Sequence, residues 1–232
     1  MSHQTSDTKM DVSESTQLEQ QTGKESKRSW CTWTPYIYLE EDKDNLRKHK
    51  YNGGDMGFSY ILFYNPVANA LVEYTPEWVA PNLITLVGFL HVVIPFYLSL
   101  YVMGPDIYGP VPSWFCLFFA WCYFWYRMFD EMDGKQARKT KNGSGLGLFF
   151  DHGCDCFTVG LATILSCKLV NNGNNLLTLI NLATNITSFH LATLEEYYIG
   201  SLVLPPCNGV SDGSFAIVGS FIISGIYGPE FW

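Results

Sequence analysis

Long apolar runs alternate with short polar connections in the second half of the chain, whereas the first 29 residues contain almost no large apolar side chains. A helix of about 20 apolar residues is long enough to cross the hydrocarbon layer of a bilayer. Four such runs are present, at residues 83–103, 111–129, 145–167 and 176–197. A fifth, at residues 215–227, is too short to span comfortably. The pattern predicts an all-α polytopic membrane protein with four to five transmembrane helices.

The remaining sequence divides into two predicted regions ahead of a transmembrane core at residues 80–232. Residues 1–29 are rich in Ser, Thr, Gln and charged residues, so they cannot bury enough surface to offset the entropy of ordering, and they are predicted to be a disordered tail. Residues 30–79 mix aromatic side chains with Lys and Arg, as segments at the level of lipid headgroups do. They are predicted to be an interfacial amphipathic segment.

Two details of the N-terminal part refine this prediction. Asn65 and Pro66 interrupt the apolar run at residues 57–75, so a pair of interfacial helices is expected there rather than a span. Met1 is not followed by an apolar run of the kind found in signal peptides. Insertion is therefore expected to depend on the first spanning helix.

The Lys and Arg residues that flank the first two predicted spans lie on one side of them. Four follow the second span, namely Lys135, Arg138, Lys139 and Lys141, and four more precede the first span. The connection at residues 104–110 has none. By the positive-inside rule, the N-terminus and the end of the second span are predicted to face the cytosol. The net charge of -8 also argues against a nucleic-acid partner.

Four aspartates lie at the edges of the second and third predicted spans: Asp130, Asp133, Asp151 and Asp155. Ionisable groups in such positions are costly and indicate a functional site. Spacings of three and four residues place each pair on one face of its helix. Carboxylates on two facing helices, at about 5 Å and an effective dielectric constant of about 20, would repel one another by about 3 kcal/mol per pair. A counter-charge is therefore required. Because all candidate ligands are oxygens, Mg²⁺ or Mn²⁺ is predicted.

Small and basic residues around these aspartates suit a phosphate ligand. Gly134 and Gly147 have no side chain and Ala137 has only a methyl group, so a bulky ligand could approach the helix backbone closely. Arg138 carries the planar guanidinium that pairs with phosphate oxygens.

The string Asp-x2-Asp-Gly-x2-Ala-Arg-x8-Gly-x3-Asp-x3-Asp, at residues 130–155, resembles the signature of the CDP-alcohol phosphotransferases without a gap. The neighbouring strings Ala80-Pro81-Asn82-Leu83-Ile84-Thr85 and Asp151-His152-Gly153-Cys154-Asp155 are similar to those of the eukaryotic choline/ethanolamine phosphotransferase branch. The resemblance runs from about residue 36 to the end. Members of that branch have about ten spans, so the core is expected to be incomplete at its C-terminus.

The resemblance implies the transfer of phosphocholine or phosphoethanolamine from CDP-choline or CDP-ethanolamine to diacylglycerol, which releases CMP and makes phosphatidylcholine or phosphatidylethanolamine. It implies two Mg²⁺ or Mn²⁺ ions held by the four aspartates, an integral membrane location in the endoplasmic reticulum or Golgi, and a homodimer as one possible assembly. It assigns Asn82 to contact with the nucleotide. The residues predicted to bind the CDP-alcohol are therefore Asn82, Gly134, Ala137, Arg138 and Gly147.

Two residues compete for the role of the base that deprotonates the acceptor hydroxyl. Asp155 is the candidate that the family pattern suggests, whereas His152 has a near-neutral unperturbed pKa and lies beside a predicted metal ligand, which favours it. Glu195 and Glu196 end the fourth span on the side of the aspartates and are expected to orient a base or a water molecule.

Two other classes of function are compatible with parts of the pattern. An intramembrane prenyltransferase also holds Mg²⁺ with aspartates on helices, although it would lack the Asp-Gly-x2-Ala-Arg string. A catalytically inactive, truncated relative that acts as a partner or regulator is the second alternative.

Overall fold

A computed structural model describes residues 51–232. The predicted tail at residues 1–29 and the first part of the predicted interfacial segment, residues 30–50, lie outside the described residues. Within the described range the chain forms six α-helices: α1 (Asn65–Tyr74), α2 (Pro81–Met103), α3 (Ser113–Thr140), α4 (Gly145–Leu169), α5 (Leu176–Ile199) and α6 (Ser211–Tyr227). Two three-residue strands, β1 (Gly53–Asp55) and β2 (Leu202–Leu204), complete the fold.

Helices α2 to α5 occupy the four predicted spans. By length and composition, α2 and α4 are apolar enough to cross a membrane. Helix α3 has 28 residues, which corresponds to about 42 Å at 1.5 Å per residue. That length exceeds a hydrocarbon layer of about 30 Å. The helix continues past the apolar run at residues 111–129 into the charged residues that follow it. The signature aspartates Asp130 and Asp133 lie on this extension.

Helix α3 is the central element of the core. Its buried side chains recur at helical spacing, as Phe115, Phe119, Cys122 and Tyr126 illustrate, and they pack against α2, α4 and α6. Pro112 precedes the first turn of α3, and Lys141 ends the helix with a left-handed backbone, at φ 56°. The helix that carries half of the aspartates is therefore held by neighbours on several sides.

The interfacial region differs from the expected pair of helices. The π-helical turn Tyr60–Tyr64 runs directly into α1, so the helix does not break at Asn65 and Pro66. The ring of a proline clashes with the carbonyl group four residues before it in an α-helix. The wider π-helical turn ahead of Pro66 changes that spacing, which explains how one helix accommodates the proline.

Helix α1 packs against α3 along one face. Tyr64, Ala68 and Val72 bury one face of the α1 region against Met128 and Met132 of α3.

Near the C-terminus of α1, two residues of α3 at variable positions of the signature string hold the connection to α2. The Gln136 amide donates hydrogen bonds to the carbonyl oxygens of Pro76, at 3.0 Å, and Val79, at 3.1 Å. The Lys139 ammonium donates to the carbonyl oxygens of Val72 and Thr75, both at 2.7 Å.

The strands form a parallel pair that the sequence did not predict. Gly53 pairs with Leu202 and Asp55 with Leu204. Asn208 supports the pair, because its amide donates to the Asp55 carboxylate at 2.7 Å. The pair joins the segment before α1 to the connection between α5 and α6, and both strands border the cavity described below.

Candidate metal and phosphate site

Three signature aspartates converge from two helices. One carboxylate oxygen from each of Asp130, Asp151 and Asp155 lies within 4.8 Å of the others. Asp130 projects from α3, whereas Asp151 and Asp155 lie one turn apart near the start of α4. The spacing of four residues places both side chains of α4 on the face that is turned towards α3.

The fourth aspartate, Asp133, lies outside this group of three but lines the same cavity. Its carboxylate accepts a hydrogen bond of 2.5 Å from the Thr85 hydroxyl of α2. Both residues are buried. Asp133 is therefore tied to a third helix as well as to the site.

Two of the three converging aspartates have fixed partners on α3. The Tyr126 hydroxyl donates a hydrogen bond of 2.9 Å to Asp155. The guanidinium of Arg127, which is buried, pairs with Asp130 and with Glu131. Sequence reasoning did not single out Tyr126 or Arg127. Both residues could have been identified from their position, because they lie one helical turn before Asp130 on the same helix.

The residues present fit a divalent cation. Oδ1 of Asp151 is buried and has no hydrogen-bond partner among residues 51–232. A buried carboxylate oxygen without a partner is costly unless a positive charge or a donor reaches it. Together with the neighbouring oxygens of Asp130 and Asp155, it offers the hard ligands that Mg²⁺ and Mn²⁺ take.

A cavity of about 560 Å³ opens beside the aspartates. The five residues predicted to bind the CDP-alcohol all line it, namely Asn82, Gly134, Ala137, Arg138 and Gly147. A Cβ atom at Gly147 would lie 3.4 Å from Oδ1 of Asn82 and 3.4 Å from Oγ of Ser144. A larger side chain at position 147 would occupy space between these two polar groups.

The opposite part of the lining comes from residues that the sequence analysis did not assign. Tyr51, Gly53 and Leu202 belong to the strand region, and Phe189 belongs to α5. Burial, and then the negative charge of Glu196, raise the pKa of Tyr51 to about 12. The Tyr51 hydroxyl offers the cavity a hydrogen-bond donor.

His152 and the two glutamates lie beside the cavity rather than in its lining. Nδ1 of His152 is 3.6 Å from Oε2 of Glu196. The His152 ring packs against Phe189, with 6.5 Å between the ring centroids, and Phe189 does line the cavity. Glu195 is exposed. Of the two glutamates, the structure therefore brings Glu196 to His152.

Comparison with known proteins identifies a matching domain. Residues 78–174 match the family model described as CDP-alcohol phosphatidyltransferase. This range contains every residue of the signature, from Asp130 to Asp155, and the helices α2, α3 and α4.

Curated relatives extend the similarity over most of the chain. Uncharacterized CDP-alcohol phosphatidyltransferase class-I family protein 3 of Dictyostelium discoideum is 36% identical over 82% of this chain and 47% of its own length. Choline/ethanolaminephosphotransferase 2 of Arabidopsis thaliana is 35% identical over 81% of this chain and 47% of its own length. Cholinephosphotransferase 1 of Saccharomyces cerevisiae is 33% identical over 80% and 47%, respectively.

The chain spans about half the length of the curated relatives it matches. The matched half contains the complete signature, and the carboxylates of that signature meet beside one cavity. Sequence similarity and site geometry thus lead to the same assignment: the chain belongs to the CDP-alcohol phosphatidyltransferase family through residues 78–174, and its similarity extends to choline/ethanolaminephosphotransferases of eukaryotes.

Proposed function

We propose that this chain transfers phosphocholine or phosphoethanolamine from CDP-choline or CDP-ethanolamine to diacylglycerol, with release of CMP. The observation that carries the proposal is the meeting of carboxylates from α3 and α4 beside a cavity of about 560 Å³ that Arg138 also lines. The names of the relatives from Arabidopsis and yeast support the choice of alcohols.

The membrane arrangement belongs to the same proposal. We place α2 to α5 across the bilayer, with α6 as a fifth apolar helix, the segment before residue 80 at the interface, and residues 1–29 as a disordered tail. The connections at the ends of α2 and α4 meet, because the Lys168 ammonium donates to the Gly104 carbonyl at 2.5 Å. The aspartates lie at the opposite end of these helices, where α3 ends with Lys139 and Lys141. We place this end on the cytosolic side of the membrane of the endoplasmic reticulum or Golgi.

Asp130, Asp133, Asp151 and Asp155 are the residues that would hold two Mg²⁺ or Mn²⁺ ions. Bound ions of this kind neutralise the charge of a diphosphate and stabilise a departing phosphate group. The burial of Asp133 and the unpartnered oxygen of Asp151 support this assignment.

The small residues and Arg138 position the diphosphate. Gly134, Ala137 and Gly147 leave the helix backbone open to the cavity, and Asn82 approaches Gly147 from α2. The guanidinium of Arg138 pairs with phosphate oxygens in the planar geometry that suits it. A substrate held in this way presents the phosphorus that bears the small alcohol to the acceptor.

The acceptor hydroxyl then attacks that phosphorus, the bond to the oxygen of CMP breaks, and the hydroxyl proton passes to a base. We favour His152, because Glu196 lies beside Nδ1 and would leave Nε2 to receive the proton. Asp155 is the competing base. Its carboxylate already accepts a hydrogen bond from Tyr126, which suits a fixed metal ligand better than a proton carrier.

The variants His152→Ala and Asp155→Ala separate these two roles. If His152 is the base, His152→Ala loses transfer and keeps Mn²⁺ binding, whereas Asp155→Ala loses both. Transfer that persists in His152→Ala would reassign the proton to Asp155.

The test of the function is transfer by the purified chain in detergent micelles that contain diacylglycerol, Mg²⁺ and radiolabelled CDP-choline or CDP-ethanolamine. We expect labelled phospholipid from the wild-type chain and a loss on the order of 100-fold or more in Asp151→Asn, which is the scale of losing one preorganised electrostatic contact. The matched acid-to-amide control is Glu77→Gln, at an exposed position outside the cavity. It should retain activity.

The same assay addresses the alternatives. A non-catalytic partner would give no labelled phospholipid at any Mg²⁺ concentration, and that result would overturn the proposal. The family match lends no support to an intramembrane prenyltransferase.

A further inference from the structure

Two neutral hydroxyl groups contact the aspartates of the site from neighbouring helices. Thr85 of α2 donates to Asp133 of α3 at 2.5 Å. Tyr126 of α3 donates to Asp155 of α4 at 2.9 Å. The two hydrogen bonds thus connect three consecutive helices through the acids of the signature.

The Thr85 contact lies in the buried wall of the cavity. Thr85 is 7% exposed and Asp133 is 6% exposed, and both line the cavity. A water molecule that replaced the threonine hydroxyl would have to come from the cavity. A carboxylate that loses its donor in such a place must turn towards another partner or remain unsatisfied.

The Tyr126 contact is also made by a buried residue, and it reaches the aspartate of α4. Tyr126 is buried, and its ring packs against Tyr123 with 5.6 Å between centroids. This packing fixes the ring, so the hydroxyl reaches Asp155 in one orientation. Tyr126 thereby holds the Asp155 carboxylate, one oxygen of which lies in the group formed with Asp130 and Asp151.

We propose that Thr85 and Tyr126 are positioning residues, each of which orients one signature carboxylate for cation binding from an adjacent helix. The inference rests on the proposed metal site. A neutral hydroxyl orients a carboxylate without adding positive charge, unlike the Arg127 guanidinium that pairs with Asp130. Outer partners of this kind fix the orientation of metal ligands, and their removal costs about 10- to 100-fold in metal affinity.

The test measures Mn²⁺ binding to the full chain in detergent by titration calorimetry, without any substrate. Thr85→Val and Tyr126→Phe remove one hydroxyl each and retain the shape of the side chain. Thr85→Ser restores the hydroxyl. The matched control is Thr158→Val on α4, because the Thr158 hydroxyl is buried and has no hydrogen-bond partner in the part of the chain that the structure describes.

We expect Mn²⁺ affinity to fall about 10- to 100-fold in Thr85→Val and in Tyr126→Phe. Thr85→Ser should recover most of the loss, and Thr158→Val should bind as the wild type does. The melting temperature of the metal-free protein is measured in parallel. It should change little in Tyr126→Phe, which separates orientation of the ligand from general loss of structure.

Wild-type affinity in both hydroxyl-deletion variants would overturn the inference, as would an equal loss in Thr158→Val. If Thr85→Val does not fold, Tyr126→Phe still decides the outcome, and wild-type affinity in that variant would overturn the inference. A wild-type chain that binds no Mn²⁺ would refute the metal site itself and the inference with it. A chain that binds Mn²⁺ but transfers nothing would refute only the proposed function.

Discussion

Gly147 shows at the scale of one residue how the signature keeps space for a ligand. We predict that Gly147→Val raises the KM for the CDP-alcohol about 10-fold or more, because overpacking costs about 1–3 kcal/mol. The added methyl groups would enter the space between Asn82 and Ser144. Mn²⁺ binding should persist, since position 147 carries no ligand.

Steady-state kinetics with Gly160→Val as the control checks this prediction. Gly160 lies on the same helix, and a Cβ atom there would meet nothing within 4 Å. An unchanged KM in Gly147→Val, or an equal rise in Gly160→Val, would contradict a role for Gly147 in admitting the substrate.

The spacing of residues predicted part of the site and left the rest undetermined. Intervals of three and four residues placed Asp130 with Asp133 and Asp151 with Asp155, because residues on one helix share a face at those intervals. The same rule does not say which neighbouring helix a face meets. The contact of Thr85 with Asp133 and that of Tyr126 with Asp155 therefore required the packing of α2, α3 and α4.

At the scale of elements, Gln136, at a variable position of the signature string, holds the connection between α1 and α2. Its side chain is 0% exposed and supplies both the Pro76 and the Val79 carbonyl with a donor. We predict that Gln136→Leu destabilises the protein by about 1–3 kcal/mol. The Val79 carbonyl loses its side-chain donor, and the Pro76 carbonyl keeps only the Val79 amide. Thermal melting should show a lower Tm with Mn²⁺ affinity retained.

The control for this prediction is Asn69→Leu, a similar exchange at an exposed position on α1. A Tm for Gln136→Leu equal to that of the wild type would show that these hydrogen bonds do not hold the connection between α1 and α2.

The strand pair allows a matched test of two adjacent glycines. A Cβ atom at Gly53 would lie 2.7 Å from the Leu202 carbonyl oxygen, whereas at Gly54 it would meet nothing within 4 Å. Gly53→Ala should therefore open the pair and increase hydrogen exchange at residues 202–204, while Gly54→Ala should not. Equal exchange in the two variants would contradict the pairing of β1 with β2.

The elements differ in how far the sequence could predict them. For the four long helices α2 to α5, most of the predicted ends lie within a few residues of the observed ones, because length and apolar composition are local properties. Helix α3 extends past its apolar run into the charged signature. Strands of three residues carry too short an alternation to be recognised, and the pairing of Gly53 with Leu202 joins distant parts of the chain.

At the scale of the whole molecule, the account requires the aspartates on the cytosolic side. We predict that a single cysteine at Asn142→Cys reacts with a membrane-impermeant maleimide in sealed microsomes, whereas one at Asn174→Cys reacts only after permeabilisation. Both positions are exposed. They follow the C-terminal ends of α3 and α4, which the proposed arrangement places on opposite sides of the membrane. The seven native cysteines are replaced beforehand. Reversed labelling would contradict the orientation drawn from the Lys and Arg residues.

The central claim is that carboxylates from α3 and α4 hold divalent cations together. Anomalous scattering from crystals of the chain grown with Mn²⁺ tests it most directly. We predict manganese peaks between the two helices, with Asp130 of α3 and with Asp151 and Asp155 of α4 among the ligands. Manganese bound by one helix alone, or absent from the group of three carboxylates in a crystal that binds it elsewhere, would contradict the account.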